Sequence, residues 1–368
     1  MEGASSASGP RSTRSIRRTA VFVISADYAR GTGGWVYDSR VLSELRRLGW
    51  EMRDVIAPAG FPDPDAAAAA ETARLLSALP DRTLVLSDQL VTSVLPDVME
   101  PEASRLLLVP IVHHPLALEG GREAQPSEML AHAERRALSC ARRVIATSAA
   151  TARTLTAEYA VSAERLVVAQ PGFDRQPASP GSAYGRPLQL LAIGSVIPRK
   201  DYGTLIAALA GLRDRRWQLT IVGNTARDPD YAAALRAQIA AAGLAGRVYL
   251  AGEANDEELD KLWLAADLFV SSSIHEGFGM ALGEAITHGL PVVTTAAGAV
   301  ADWVDRRAAI VVDVGNADAF RTALARVLDD ERHRQQLHEG ALQARHDLPT
   351  WADAAETVDR ALAPLVAV

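Results

Sequence analysis

Asp267-Leu-Phe-Val-Ser-Ser-Ser-Ile-His-Glu-Gly-Phe-Gly-Met-Ala-Leu-Gly-Glu284 is the stretch on which the architecture turns. An apolar, β-type run over 267–271 passes through a turn bearing Gly277 and Gly279 into a helical run over 280–288. The helix has an ordinary ending, with Gly289 after His288 and Pro291 opening the next apolar run over 291–295. Strand, glycine turn and helix in that order make one unit of a parallel sheet with crossover helices.

The same unit recurs outward in both directions. Around it the spacing predicts a strand beginning at Leu188 and strands over 218–222, 247–251 and 309–313, with helices over 201–213, 229–242, 256–265 and 316–328. The end of the chain, 331–363, reads as helical without a further strand. Toward the N-terminus, strands are predicted over 20–25, 51–56, 83–87, 105–112 and 143–147, and helices over 34–48, 65–79, 126–140 and 149–158. Between these halves, 170–187 concentrates Pro, Gly and Ser and reads as an interdomain linker. A chain of 368 residues also exceeds what one hydrophobic core commonly serves. The expectation is an α/β protein of two doubly wound, Rossmann-like domains, 19–170 and 188–348, joined by 171–187 and facing each other across a cleft. Ligands of such sheets sit outside the carboxyl ends of the strands.

Composition narrows the class. The 48% apolar content suits sizeable cores, and no apolar run approaches the roughly 18–20 residues of a membrane-spanning helix. Residues 1–18, rich in Ser and Arg, read as a disordered leader rather than a targeting segment. The one cysteine, Cys140, excludes an intramolecular disulfide and reads as a small buried side chain. A net charge of −7 speaks against a nucleic-acid surface, and the expected compartment is the cytosol. Arg135, Arg136, Arg142 and Arg143 could mark a peripheral contact with an anionic membrane, but they read as ordinary surface charge tempered by Glu134.

The residues that carry chemistry follow strands. Glu276 and Glu284 flank the glycine turn, whose backbone can approach a ligand closely. The helix opening near Met280 presents free N–H groups that favour a diphosphate. Glu284, read as lying in the first helical turn, suits a ribose cis-diol, and Glu276 the hydroxyls of a sugar. Arg199 and Lys200, after the strand at Leu188, offer a planar fork and a mobile point charge for phosphate oxygens. Asp228 and Asp230 open a helix and do not read as metal ligands. In the first half, the loop Arg30-Gly-Thr-Gly-Gly34 follows a strand but lacks the third glycine of the dinucleotide fingerprint. His113 and His114 end the strand 105–112; a neutral imidazole there could hydrogen-bond a sugar. A metal held by the pair is disfavoured, since adjacent residues point apart and no third ligand is evident. Asp88, closing the strand 83–87, is a further cleft candidate.

In EGFGMALGEAITHGLPVV, with its Glu276 and Glu284, the chain resembles family 4 of the retaining glycosyltransferases (glycosyl transferases group 1), which have the GT-B architecture. The resemblance covers about the last two-thirds of the chain and, more weakly, the first third. It implies a transferase taking a sugar from a nucleotide-diphosphate donor with retention of anomeric configuration, needing neither a cofactor nor a divalent ion. It implies that Arg199 and Lys200 hold the pyrophosphate and that Gly33 and Gly34 line the cleft opposite it. Glu276 would act with the 277–281 backbone (Gly277, Phe278, Gly279, Met280 and Ala281) on the sugar, and Glu284 would hold the ribose. A cleft histidine is implied at His113, although His114 stands where the family has an acidic residue or Gly. A terminal helix, 349–368, is implied to cross back to the first domain, with Trp351 packing. The acceptor, a small molecule, glycan or lipid-linked sugar, leaves no mark. The rival readings are a sugar-nucleotide epimerase of similar architecture and a binding-only protein.

Overall fold

The computed structural model describes residues 18–28, 32–119, 127–182 and 185–367. The leader, save Arg18, therefore lies outside the described residues, as do Arg30 and Gly31 of the glycine loop. The first sheet comprises β1 (Thr19–Ser25), β2 (Glu51–Ala57), β3 (Leu84–Asp88), β4 (Leu107–Val112), β5 (Val144–Ala146) and β6 (Leu166–Val168). Its strands are parallel, in the order β2-β1-β3-β4-β5-β6. Crossovers are made by α1 (Gly33–Arg47), α2 (Ala66–Ser77), α3 (Gln89–Thr92), α4 (Pro96–Glu102), α5 (Ser127–Ser139) and α6 (Ala149–Glu158).

The second sheet holds β7 (Leu188–Ile193), β8 (Trp217–Val222), β9 (Val248–Gly252), β10 (Leu268–Ser271), β11 (Val292–Thr295) and β12 (Ala309–Val312). It too is parallel, ordered β12-β11-β10-β7-β8-β9. Around it lie α7 (Tyr202–Ala210), α8 (Pro229–Ala241), α9 (Asp256–Ala265), α10 (Met280–Thr287), α11 (Val300–Trp303), α12 (Ala317–Asp329) and α13 (Glu331–Ala344). The last helix is α14 (Trp351–Val366).

Local chemistry starts these helices where it does. Asp65, Ser148 and Asp228 accept hydrogen bonds from the first turns of α2, α6 and α8, and Asn255 and Thr350 form capping boxes on α9 and α14. Each such cap is worth about 1 kcal/mol. Packing supplies the larger share, since a fully buried Leu, Val or Phe contributes about 1.5–3 kcal/mol. The second core gathers Leu205, Ile206 and Leu209 of α7 against Trp217, Leu219 and Ile221 of β8, with Phe320 of α12.

The last helix joins the first core. Trp351, Ala354, Ala355, Val358 and Leu362 of α14 pack with Tyr37, Val41 and Leu45 of α1, and the Trp50 indole N–H donates to Asp359 at 2.8 Å. Three features depart from the sequence reading. The edge strand β6 has only three residues, too few for a periodic signal, and α3 and α4 occupy a connection to which the sequence reading assigned no element. The helical end of the chain is two helices, α13 and α14, with the break at 345–350 falling where the separate terminal helix 349–368 was expected to begin.

Both sheets reverse strand order beside their first strand, between β1 and β3 and between β7 and β10. Loops leaving neighbouring strands in opposite directions open a crevice at such a point. Tyr28 lies in the loop after β1, Gly33 and Gly34 open the helix that follows it, and Asp88 ends β3; the loops after β7 and β10 carry Arg199, Lys200 and Glu276.

Candidate functional site

The loop after β10 and the loop after β7 are laced together. Ile274 N–H donates to the Arg199 carbonyl at 2.8 Å, and the Ser272 hydroxyl contacts the carbonyls of Lys200 and Asp201 at 3.1 and 2.8 Å. This lacing brings the basic pair onto the first glutamate. Lys200 Nζ and Ser273 Oγ each donate to Glu276 Oε1 at 2.6 Å; Arg199 Nη1 lies 3.5 Å from Oε2 and donates to the His275 carbonyl at 2.8 Å. Glu276 is buried, which opposes ionisation, but Lys200 and Arg199 outweigh that and hold its pKa at about 2. Burial lowers the Lys200 pKa. Three charged groups expected to converge do so.

Gly279 sits at φ 89° as the N-cap of α10, a left-handed conformation that only glycine adopts freely, and no side chain caps this helix. Gly277 meets the other domain: a Cβ there would lie 2.3 Å from the His113 carbonyl oxygen. Met280 packs against the first core, with its sulfur opposite Gly33, and Ala281 follows it, partly buried. Phe278 turns its ring into an aromatic stack, 4.8 Å from Trp303 and 6.1 Å from Phe173, and its carbonyl accepts from the Trp303 indole at 2.7 Å.

Glu284 requires a correction of place. It is the fifth residue of α10 and so lies in the second turn, on the same face as Met280 at a spacing of four. Among the described residues it has no hydrogen-bond or ion-pair partner, and burial alone pushes its pKa up to about 7.

Across the cleft, the two histidines diverge. His114 Nε2 pairs with Glu119, which also faces Arg199 Nε at 3.8 Å and Arg227 at 2.7 Å. Despite burial, His114 and the two arginines hold the Glu119 carboxyl far below the usual range. His113 Nε2 lies 3.4 Å from both Asp38 Oδ1 and Asp88 Oδ2. Burial disfavours its charged form, yet the two carboxylates prevail and raise its pKa to about 10. These contacts favour the charged form over the neutral imidazole that was expected. Asp88 is corrected too: it is 1% exposed, caps α3 through Leu90 N–H at 2.7 Å, and does not itself face the cleft.

Asp38, Asp88 and His113, without His114, bring ligand atoms within 4.8 Å of one another. Tyr28 OH lies 3.0 Å from Asp88 Oδ2 and 3.3 Å from Asp38 Oδ2, so a proton donor faces one oxygen of each carboxylate, while Asp38 Oδ1 and His113 Nε2, 3.4 Å apart, are in charge contact without hydrogen-bond geometry. Gly34 lies against Tyr28 and the His113 ring. Sequence reasoning missed Asp38 and Glu119; Asp38 stands four residues after Gly34, one turn down a helix from a loop already singled out. Glu134 was misread as surface charge. It is fully buried, accepts from Ser93 Oγ and Leu116 N–H at 2.8 and 3.0 Å, and is raised to about 7 by burial. Cys140 is half-buried rather than buried.

Comparison with known proteins places this geometry. Residues 177–344 match the family model of glycosyl transferases group 1. A D-inositol 3-phosphate glycosyltransferase of Arthrobacter sp. is 31% identical over 263 residues, covering 65% of this chain and 62% of that protein. An MMP alpha-(1->4)-mannosyltransferase of Mycolicibacterium hassiacum is 30% identical over 220 residues, covering 58% and 52%. The chain thus spans between about half and two-thirds of the length of these curated relatives. The solved sucrose-phosphate synthase of Thermosynechococcus elongatus superposes with a TM-score of 0.80 over 95% of this chain and all of that one, at 20% identity. At that identity the likeness is one of fold, and the fold is GT-B.

Proposed function

From a chain whose residues 177–344 belong to glycosyl transferases group 1, we propose a glycosyltransferase that moves a hexose-type unit from a nucleotide-diphosphate sugar to an acceptor, with retention and without a metal or cofactor. The observation that carries this reading is the ion-paired set Lys200, Arg199 and Glu276 on loops that meet the His113 main chain across the cleft. Arg199 and Lys200 take the diphosphate and compensate the charge that develops on it as it departs. Glu284 accepts from the ribose hydroxyls. Glu276, kept ionised by the cations, hydrogen-bonds the transferred sugar beside the 277–281 backbone, while His113 reaches it from the other domain.

The bond from the anomeric carbon to the diphosphate oxygen breaks, and the acceptor oxygen bonds that carbon on the same face. The acceptor's proton passes to the departing phosphate. Closure of the two domains keeps water from the donor. The test is isothermal titration with a panel of nucleotide-diphosphate sugars, followed by transfer assays and anomeric analysis of the product. One donor is expected to bind and be used in an acceptor-dependent way. Release of epimerised sugar without an acceptor, or binding without turnover, would reject the proposal.

A further inference from the structure

Behind the cleft face of the first sheet lie two buried carboxylates, on His113, to which the proposed reaction gives no role. Asp38 of α1 and Asp88 of β3 are each 1% exposed, and both address one nitrogen, His113 Nε2, at 3.4 Å. The backbone around that ring is held on every side. His113 N–H donates to Gln89 Oε1 at 2.6 Å, and the His113 carbonyl accepts from Thr147 and Thr151 at 3.1 and 3.2 Å. Tyr37 of α1 meets the ring edge-on at 5.4 Å, its own hydroxyl committed to the Ala169 carbonyl. Tyr28, after β1, lies within hydrogen-bond distance of both carboxylates, and burial keeps both phenols protonated. From the opposite domain the loop at Gly277 brings main chain, and its Glu276 is already held by Lys200. Among the described residues nothing hydrogen-bonds to His113 Nδ1, and the side chain keeps 16% exposure.

Two buried carboxylates need compensation, because an unpaired charge out of water costs several kcal/mol. A neutral imidazole brings Nε2–H but no charge; an imidazolium brings both, and then necessarily carries a second N–H. We propose that Asp38 and Asp88 are positioning residues, a carboxylate clamp on Nε2 that fixes the His113 ring as an imidazolium and leaves Nδ1–H as a charged donor to an oxygen of the bound sugar donor. The clamp rests on the proposed transferase reading for its purpose, but its charge state does not.

The experiment has two readouts. Protein labelled with ¹³C-histidine is titrated from pH 6 to 8.5 without any nucleotide, and the His113 signal among the eight histidines is assigned by its loss in His113→Gln. The wild-type signal is expected to stay at its imidazolium position throughout, and Asp38→Asn to restore a titration near neutrality. In transfer assays Asp38→Asn is expected to lose about tenfold in kcat and gain a limb that falls as pH rises from 6 to 8, with a smaller change in donor KM. Asp88→Asn, which retains a cap for α3, repeats the test should Asp38→Asn fail to fold. A wild-type signal that titrates near 6.5, an Asp38→Asn signal that still does not move, or a stoichiometric shift on adding Zn²⁺ would each overturn the clamp. A clamped ring beside an unchanged kinetic profile would remove its role in the reaction while leaving the charge state standing.

Discussion

Among the described residues the Glu284 carboxyl has no hydrogen-bond or ion-pair partner, whereas the Lys200 ammonium is already paired with Glu276. Replacing either by alanine is expected to weaken donor use by about 10–100-fold, roughly 1.4–3 kcal/mol. Unchanged kcat/KM in both variants would remove the site assignment. With its pKa near 7, Glu284 is largely neutral at pH 6 and ionised at pH 8. As an acceptor for ribose hydroxyls it works best ionised, so donor affinity should rise about tenfold from pH 6 to 8. Titration calorimetry on wild type and Glu284→Gln checks this, and the rise should be absent in the variant. The sign for stability is the reverse. A carboxyl raised above its unfolded value binds its proton more tightly in the folded chain, so its contribution falls as pH rises from about 4.5 to 7. Arg199, Lys200 and Glu276, which the structure brings together, could be singled out from sequence because each stands in a loop with its own chemistry after a strand. Asp38 and Glu119 were not, since each lies outside a motif and gains meaning only from partners brought near by the sheet.

At the level of the element, α10 begins in a conformation that its first residues cannot choose freely. Gly279→Ala would place a Cβ 2.8 Å from Leu282 in the left-handed region, at a cost of roughly 1–3 kcal/mol. Urea denaturation should show that loss, and donor affinity should fall with it because the start of α10 is re-aimed. An alanine variant of wild-type stability and affinity would show that the turn does not set the helix. The element pattern itself was legible, as apolar runs and glycine breaks alternate with the period of a βα unit. What escaped was short: β6, α3 and α4 contain too few residues for periodicity to appear, and tertiary contacts decide them.

At the scale of the whole molecule, polar links among the described residues join the two halves. Glu119, beyond β4, faces Arg199 and Arg227 of the other half, and Arg153 of α6 faces Asp302 of α11. Glu119→Gln should shift the donor-free population toward an open cleft by about tenfold, the equivalent of about 1.4 kcal/mol. Small-angle scattering should record a larger radius of gyration for the variant; an unaltered curve would dismiss Glu119 as a latch. By itself the sequence determined the two α/β halves and the loops that bear charge, because strand and helix periods and glycine turns act over a few neighbouring residues. Only the tertiary structure decided which charges meet. Lys200 and Glu276 are 76 residues apart, and strand order alone makes them neighbours. The same folding surrounds His113 with two carboxylates and leaves Glu284 with none of the described cations, so burial and partnership, which no local pattern encodes, raise both pKa values, the first through its partners and the second through burial alone.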